Sequence, residues 1–272
     1  MGGPEKYPLC VGQLMDLAPN FTVRLAKNTA DLHAVQRLRY DVFVRELGAS
    51  GAGIDHDRRL EQDAYDPHCL HLMLLDLSRG EKLVDQLVGV YRLLTMQGAE
   101  AAGSFYSASE FDLLPLLDSK RPMIELGRSC LRKAYRGGAA MFVLWQVLAK
   151  LVMREGAEIL FGTASFAGTD IERMAQSLSL LHEKHMMPLA LRPKALATDY
   201  VSLQQLPQGQ VDRIAALKVM PALIKAYLRL GGGVGDGAYV DHGFNTIDVC
   251  LVLDIKTMNM RQKAIYFKGE AS

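Results

Sequence analysis

The stretch Met123–Ala140, M-I-E-L-G-R-S-C-L-R-K-A-Y-R-G-G-A-A, constrains the fold more than any other part of the chain. It opens as a β-like run, passes through a basic, Gly-rich turn and enters a long apolar helix predicted over Gly138–Glu155. Ala157–Ser165 follows as a continuous apolar strand, the pattern of a strand buried inside a sheet. The same stretch sets an acid, Glu125, near a cation, Arg128. In a regular strand the two point to opposite faces, because side chains alternate. Gly127 between them is the natural place for a bulge that would turn both toward one cleft.

The flanking sequence supplies the other elements. Phe21–Leu25 alternates as a strand, and Asn28–Leu47 reads as a helix with Asn28 or Thr29 as its cap. Leu32, Val35, Leu38, Val42 and Phe43 form the apolar stripe of that helix. Gly48–Asp66 is Gly-rich, then charged, and long enough to suggest a functional lid. His71–Asp76 and Leu87–Thr95 form a meander through the polar turn Ser78–Glu81, and a short helix is expected near Ser109–Leu116. Thr169–Glu183 and Pro221–Leu230 read as helices, and Thr246–Asp254 as the closing strand. This order predicts an α/β fold, a mixed α+β arrangement with a central mixed sheet flanked by helices. Residues 1–20 are expected to be a flexible leader, and residues 21–265 one domain with an enlarged C-terminal part.

Composition narrows the partners. With 31 Lys and Arg against 30 Asp and Glu, the net charge of +1 argues against a nucleic-acid partner and leaves only local basic patches. Four scattered cysteines without a C-x-x-C read as reduced thiols of a cytoplasmic protein. The N-terminal residues carry no signal-like apolar run. Gly137–Met153 is apolar, but Gln146 and Lys150 within it favour a buried helix over a membrane span.

Several groups carry candidate chemistry. Cys130 reads as a small buried hydrophobe rather than a nucleophile. Arg132, Lys133 and Arg136 precede Gly137 and Gly138 at a helix start, where backbone N–H groups suit a phosphate. Asp55, Asp57, Glu61, Asp63 and Asp66 form either a solvated loop or one that attracts a cationic substrate; their spacing is not that of a calcium loop. Asp66, His68, Cys69 and His71, like His182 and His185, lack zinc spacing, so no metal is expected. Gly231–Asp248, with Asp236, Asp241 and Asp248, reads as a turn-rich loop lining a substrate.

Taken together, the segments R-L-R-Y-D-V-F-V-R-E-L-G, Y-D-P-H-C-L-H-L, V-G-V-Y-R-L-L, F-Y-S-A-S-E-F-D-L, E-L-G-R-S-C-L, L-F-G-T-A-S-F-A-G-T-D and Y-L-R-L-G-G-G-V-G-D-G-A-Y-V-D resemble a known family. The chain resembles the bacterial L-ornithine Nα-acyltransferases of ornithine-lipid synthesis over nearly all of residues 21–255. These are GNAT-like enzymes related to acyl-homoserine-lactone synthases. The resemblance implies a GNAT-like fold with splayed central strands. It implies transfer of a 3-hydroxyacyl chain from acyl-carrier protein to the α-amine of L-ornithine, giving lyso-ornithine lipid by direct aminolysis. No tightly bound cofactor is implied; the donor arm is the phosphopantetheine of the carrier. Glu125 and Arg128 are the implied catalytic pair. Arg39, Phe43, Asp63, Asp66 and Arg92 match the lactone-synthase signature, and with Asp236, Asp241 and Asp248 they are the candidate substrate contacts. Ser129, Cys130, Leu131, Arg132, Lys133, Arg136, Gly137, Gly138 and Ser165 are the candidate contacts to the donor arm, and Arg192 and Lys194 extend the patch for an acidic carrier. A single Trp, Trp145, and the long C-terminal portion favour the lipid enzyme over a lactone synthase. A non-catalytic acyl-binding protein on a GNAT shell is the other alternative. A lipid-like product also suggests peripheral association with the inner membrane.

Overall fold

A computed structural model describes residues 20–51 and 53–258; the predicted leader, except for Asn20, lies outside the described residues. In chain order the elements are β1 (Phe21–Leu25), α1 (Thr29–Arg39), β2 (Ile54–Asp55), β3 (Leu60–Glu61), β4 (Leu70–Asp76), α2 (Leu83–Gln86), β5 (Leu87–Thr95), α3 (Met96–Ala102), β6 (Phe111–Asp112), α4 (Leu114–Asp118) and β7 (Met123–Leu131). Then come α5 (Ala139–Arg154), β8 (Ile159–Ala167), α6 (Ile171–Lys184), β9 (Lys194–Ala195), β10 (Tyr200–Val201), α7 (Arg213–Val219), α8 (Ala222–Leu230), β11 (Gly233–Val234), β12 (Ala238–Asp241) and β13 (Thr246–Asp254). The described residues form two compact units, one from those before Ala99 together with 126–155, the other from 99–125 together with those after Glu155, so the chain passes from one to the other within β7.

In the first unit β4 lies between β1 and β5, antiparallel to both, and the second half of β7 follows β5. β4 reads L-H-L-M-L-L-D and is buried on both faces, with Leu72, Met73 and Leu74 fully covered. Burying each such side chain contributes about 1.5–3 kcal/mol. One face receives Ala34, Val35, Leu38 and Val42, which pack with Met73, Leu75, Val90 and Cys130. The helix carrying them is capped by the Asn28 side chain, which accepts from the Asp31 amide at 2.9 Å. It does not run regularly to Leu47 as predicted. After Arg39 the chain widens into a π-helix over Tyr40–Glu46, closed by bonds such as Leu47 N–H to Val42 O at 3.1 Å. Both Val42 and Phe43 reach the core cluster from this wider turn. Such turns are frequent at functional sites. The segment predicted as a long lid instead carries the β2–β3 hairpin, with Leu60 and Glu61 buried. The apolar helix α5 packs on β1 and β4. Among the described residues no helix is long and apolar enough to cross a membrane.

In the second unit the first half of β7 pairs in parallel with β8, from Met123↔Ile159 to Glu125↔Phe161. β13 runs antiparallel to β8 from Thr246↔Ala167 to Asp254↔Ile159; β12 continues the sheet and β10 follows it. Register therefore fixes which side chains share a face. Glu125, Phe161, Thr163 and Ser165 fall on the same face as Cys250, Asp248, Tyr239 and Asp241. The opposite face of β13 carries Ile247, Val249, Leu251 and Leu253, all buried. Arg121 ties the strand ends, donating to both Asp254 oxygens at 2.7 and 2.6 Å and to Glu158 at 2.7 Å.

Candidate active site

The first unit holds a dense ionic network. Arg39, on α1 and without solvent exposure, donates to Glu61 and, at 2.6 Å, to Asp66. Arg92 on β5 donates to Asp63 at 2.6 Å and to Asp66 at 2.9 Å, and Gln36 donates to Asp66 at 2.9 Å. Arg128 closes the circuit to Glu61 at 3.1 Å and Asp63 at 3.0 Å. Three guanidinium groups thus face three carboxylates. Asp63 and Asp66, which the sequence offered as anchors for a cationic substrate, spend their charge on internal arginines. Phe43 packs against the core cluster instead of standing in a cleft.

The backbone special feature of β7 is Arg128, with φ +49°, where the sequence pointed to Gly127. A left-handed non-glycine residue costs roughly 1–2 kcal/mol. Its two ion pairs offset that cost, which is why an arginine takes the position. Each member of the predicted catalytic pair has its own set of partners, Glu61 and Asp63 for Arg128, and the Tyr106–Ser107 turn for Glu125.

The network makes this unit acid-sensitive. Burial opposes ionisation of Asp66, but the Arg39 and Arg92 charges and the Gln36 hydrogen bond overcome it and hold the carboxyl well below the usual carboxylate range. Asp63 is held low in the same way. Their stabilisation is present above the unfolded pKa of 3.8 and is lost as pH falls through the lower folded values. His71, whose Nε2 lies 2.9 Å from the Asp66 carbonyl, is pushed below 6.5 by burial. The unfolded chain takes up that proton first, so stability should begin to fall as pH drops below 6.5. Urea midpoints measured from pH 8 to pH 3 should be flat at first, decline from near pH 6.5, and steepen below pH 4. A flat curve down to pH 4 in His71→Gln would assign the first decline to His71.

At the turn that the sequence offered for a phosphate, Gly137 has φ +77° and Gly138 is the N-cap of the 16-residue α5, with no side-chain cap among the described residues. Backbone N–H groups at a helix start of this kind are suited to an anion. Arg132 donates to the Leu87 and Val84 carbonyls, and Arg136 to Leu131 O and Glu46, so both cations also hold the turn in shape. Lys133 is exposed beside them. Ser129 and Leu131 end β7, while the Cys130 side chain is buried in the core cluster and its thiol is pushed up to about 12 by desolvation. In the second unit, Arg192 donates to the Met187 carbonyl and Lys194 is exposed.

The second unit carries the polar face defined above. Glu125, 4 % exposed, accepts from Tyr106 N at 2.7 Å, Ser107 N at 2.6 Å and Ser107 Oγ at 2.5 Å. The last hydroxyl lies 3.0 Å from Thr163 Oγ1 on β8. Further along the same face, Glu110, Asp241 and Asp248 bring one carboxylate oxygen each to within 4.8 Å of one another. Glu110 and Asp248 are buried and Asp241 is half-buried. Carboxylates that close together favour a cation or a shared proton among them. Asp236, the remaining predicted anchor, faces the Tyr200 phenol. Ser165 is exposed on β8, opposite Asp248 in the register. Ser107, Glu110 and Thr163 were given no role from the sequence. All three occur inside the segments F-Y-S-A-S-E-F-D-L and L-F-G-T-A-S-F-A-G-T-D, but only the 3-10 turn Tyr106–Ser109 and the sheet register bring them to Glu125 and Asp248.

The acetyltransferase (GNAT) domain family matches residues 38–146. An L-ornithine N(alpha)-acyltransferase of Rhodobacter capsulatus is 47% identical over 253 residues, covering 93% of this chain and 97% of that protein. A protein of the same name from Rhizobium meliloti is 39% identical over 250 residues, 91% of this chain and 84% of its own length. Among solved structures, FeeM, an N-acyl amino acid synthase from uncultured soil microbes, superimposes with a TM-score of 0.48 at 11% identity, covering 87% of this chain and 93% of that one. On the identity and coverage of the two acyltransferases, the chain is an N-acyltransferase and belongs to the L-ornithine N(alpha)-acyltransferase family.

Proposed function

We propose that the enzyme moves a 3-hydroxyacyl chain from acyl-carrier protein to the α-amine of L-ornithine, giving lyso-ornithine lipid. The reaction is direct aminolysis of the thioester, without a covalent enzyme intermediate. The names of the relatives support ornithine as acceptor. The observation that carries the reading is the Glu110–Asp241–Asp248 cluster on the face that also bears Glu125. An ammonium with three N–H donors fits a ring of three carboxylates. Asp248 stands opposite Ser165 on β8, two residues along from Thr163, whose hydroxyl lies 3.0 Å from Ser107 Oγ, so the cluster and the Glu125 hydrogen bonds lie along one face. With the side-chain ammonium in the cluster, the α-amine is the one presented toward Glu125, which takes its proton as general base.

The donor phosphate is assigned to the N-terminus of α5 with Gly137, Gly138 and the neighbouring cations Arg132, Lys133 and Arg136. Backbone N–H groups near Ser129–Leu131 are the candidate oxyanion donors. No resident cofactor, metal or nucleic acid enters this reading. The protein works in the cytoplasm, with peripheral contact to the inner membrane where its lipid-like product is delivered.

The assay supplies 3-hydroxyacyl carrier protein with ornithine, glycine or S-adenosylmethionine and identifies the product by mass. Nα-acylornithine as the main product is expected. A homoserine lactone, an acylglycine, or acyl binding without turnover would each replace the proposal.

A further inference from the structure

We infer that Thr163 and Ser107 form a two-hydroxyl relay that carries the substrate proton to Glu125, so that the base acts without touching the amine. The inference rests on the proposed role of Glu125. Ser107 has no solvent exposure and Glu125 is 4 % exposed, so an incoming ammonium does not meet the carboxylate directly. The two Glu125 oxygens already accept three bonds from Tyr106 N, Ser107 N and Ser107 Oγ. A carboxylate has only acceptor sites, so the single Ser107 hydroxyl proton points to Glu125. The 3.0 Å contact between the two hydroxyls then has one direction left: Thr163 donates and Ser107 accepts. Thr163 is the first partly exposed group of the chain, on the face shared with Ser165 and Asp248. Its remaining lone pair is an acceptor for an ammonium N–H.

The transfer balances as follows. The ammonium N–H proton passes to Thr163 Oγ1, the Thr163 proton passes to Ser107 Oγ, and the Ser107 proton passes to Glu125 Oε1. Both hydroxyls end as hydroxyls, the amine becomes neutral, and Glu125 becomes a carboxylic acid. The amine then attacks the thioester, its second proton leaves with the pantetheine thiol, and Glu125 returns its proton to solvent by the reverse path.

The test compares Thr163→Val, Thr163→Ser, Ser107→Ala, the Thr163→Val/Ser107→Ala double variant and Glu125→Gln. Thr163→Val and Ser107→Ala should each lower kcat by about tenfold or more at neutral pH while the KM for ornithine stays within about twofold. Both should regain rate at alkaline pH, where the amine loses its proton unaided. Thr163→Ser should retain the parent rate, and the double variant should be no slower than the worse single variant, because a relay is interrupted only once. A proton inventory of the unaltered enzyme should curve, showing more than one proton in flight. Full activity in Thr163→Val, equal losses in Thr163→Ser and Thr163→Val, or a double loss equal to the product of the single losses would overturn the relay. If Ser107→Ala does not fold, the two Thr163 variants and the inventory decide alone. Activity lost in Glu125→Gln but kept in Thr163→Val removes only the relay; activity kept in Glu125→Gln removes the base itself.

Discussion

Glu125→Gln is expected to lose roughly a hundred- to ten-thousand-fold in turnover at neutral pH, the usual contribution of a positioned general base. The amide keeps the shape of the side chain and can still accept from Ser107 N and Oγ. Its NH₂ group, however, then opposes the Tyr106 amide, which now donates at 2.7 Å. A loss of stability of about 1–3 kcal/mol, seen as a lowered thermal midpoint, therefore accompanies the substitution. The diagnostic is the pH profile. An amine deprotonated by the solvent needs no base, so the variant should approach the parent at alkaline pH. An unchanged rate at every pH would remove Glu125 from the chemistry, and an equal deficit at every pH would make it a purely structural anchor of the 106–107 turn.

Asp248→Asn acts on selection of the acceptor instead of on the chemical step. One charge-assisted hydrogen bond contributes about 1.5–3 kcal/mol, so the KM for ornithine should rise by roughly ten- to a hundredfold. Norvaline, which has the same carbon chain without the terminal amine, should be used no worse by the variant than by the parent. The preference for ornithine over norvaline therefore shrinks by the same factor. Equal losses with both acceptors would mean that the substitution damaged the sheet, since Asp248 pairs with Ser165 and Tyr239 in adjacent strands. A divalent ion among Glu110, Asp241 and Asp248 is the competing occupant, and activity abolished by a chelator and restored by a metal would favour it over the ammonium.

Much of the fold was legible in the chain because local pattern and tertiary demand agree there. Phe21–Leu25 and Thr246–Asp254 are strands at the predicted bounds, and the apolar run after Gly138 is the helix α5. The elements that were not legible are short: α2, α3, α7, β6, β9, β10 and the β2–β3 hairpin. Two to seven residues carry too little periodic signal, and these segments are held by partners distant in sequence. Lys194–Ala195, for example, exists as a strand because Phe111–Asp112 lies beside it. The π-helix was hidden for a different reason: its sequence reads as an ordinary helix, and only its i to i−5 bonds distinguish it.

The site divides along the same line. Sequence by itself nominated Glu125, Arg128, the Gly137–Gly138 turn and the acidic residues of the C-terminal loop as candidates, because residue type and spacing announce charge and backbone freedom. It could not say which acids share a face and which are paired with internal arginines. Only the tertiary structure gave Asp63 and Asp66 to Arg39, Arg92 and Arg128, and gathered Asp241 and Asp248 with Glu110, more than a hundred and twenty residues away in the chain. It also placed the left-handed backbone at Arg128 and the hydroxyls of Ser107 and Thr163 beside Glu125. The physical reason is that a charge in a sequence has no partner until the chain folds. Whether a carboxylate neutralises an arginine, holds a turn or waits for a substrate is decided by what the sheet register and the packed helices bring within about 3 Å of it.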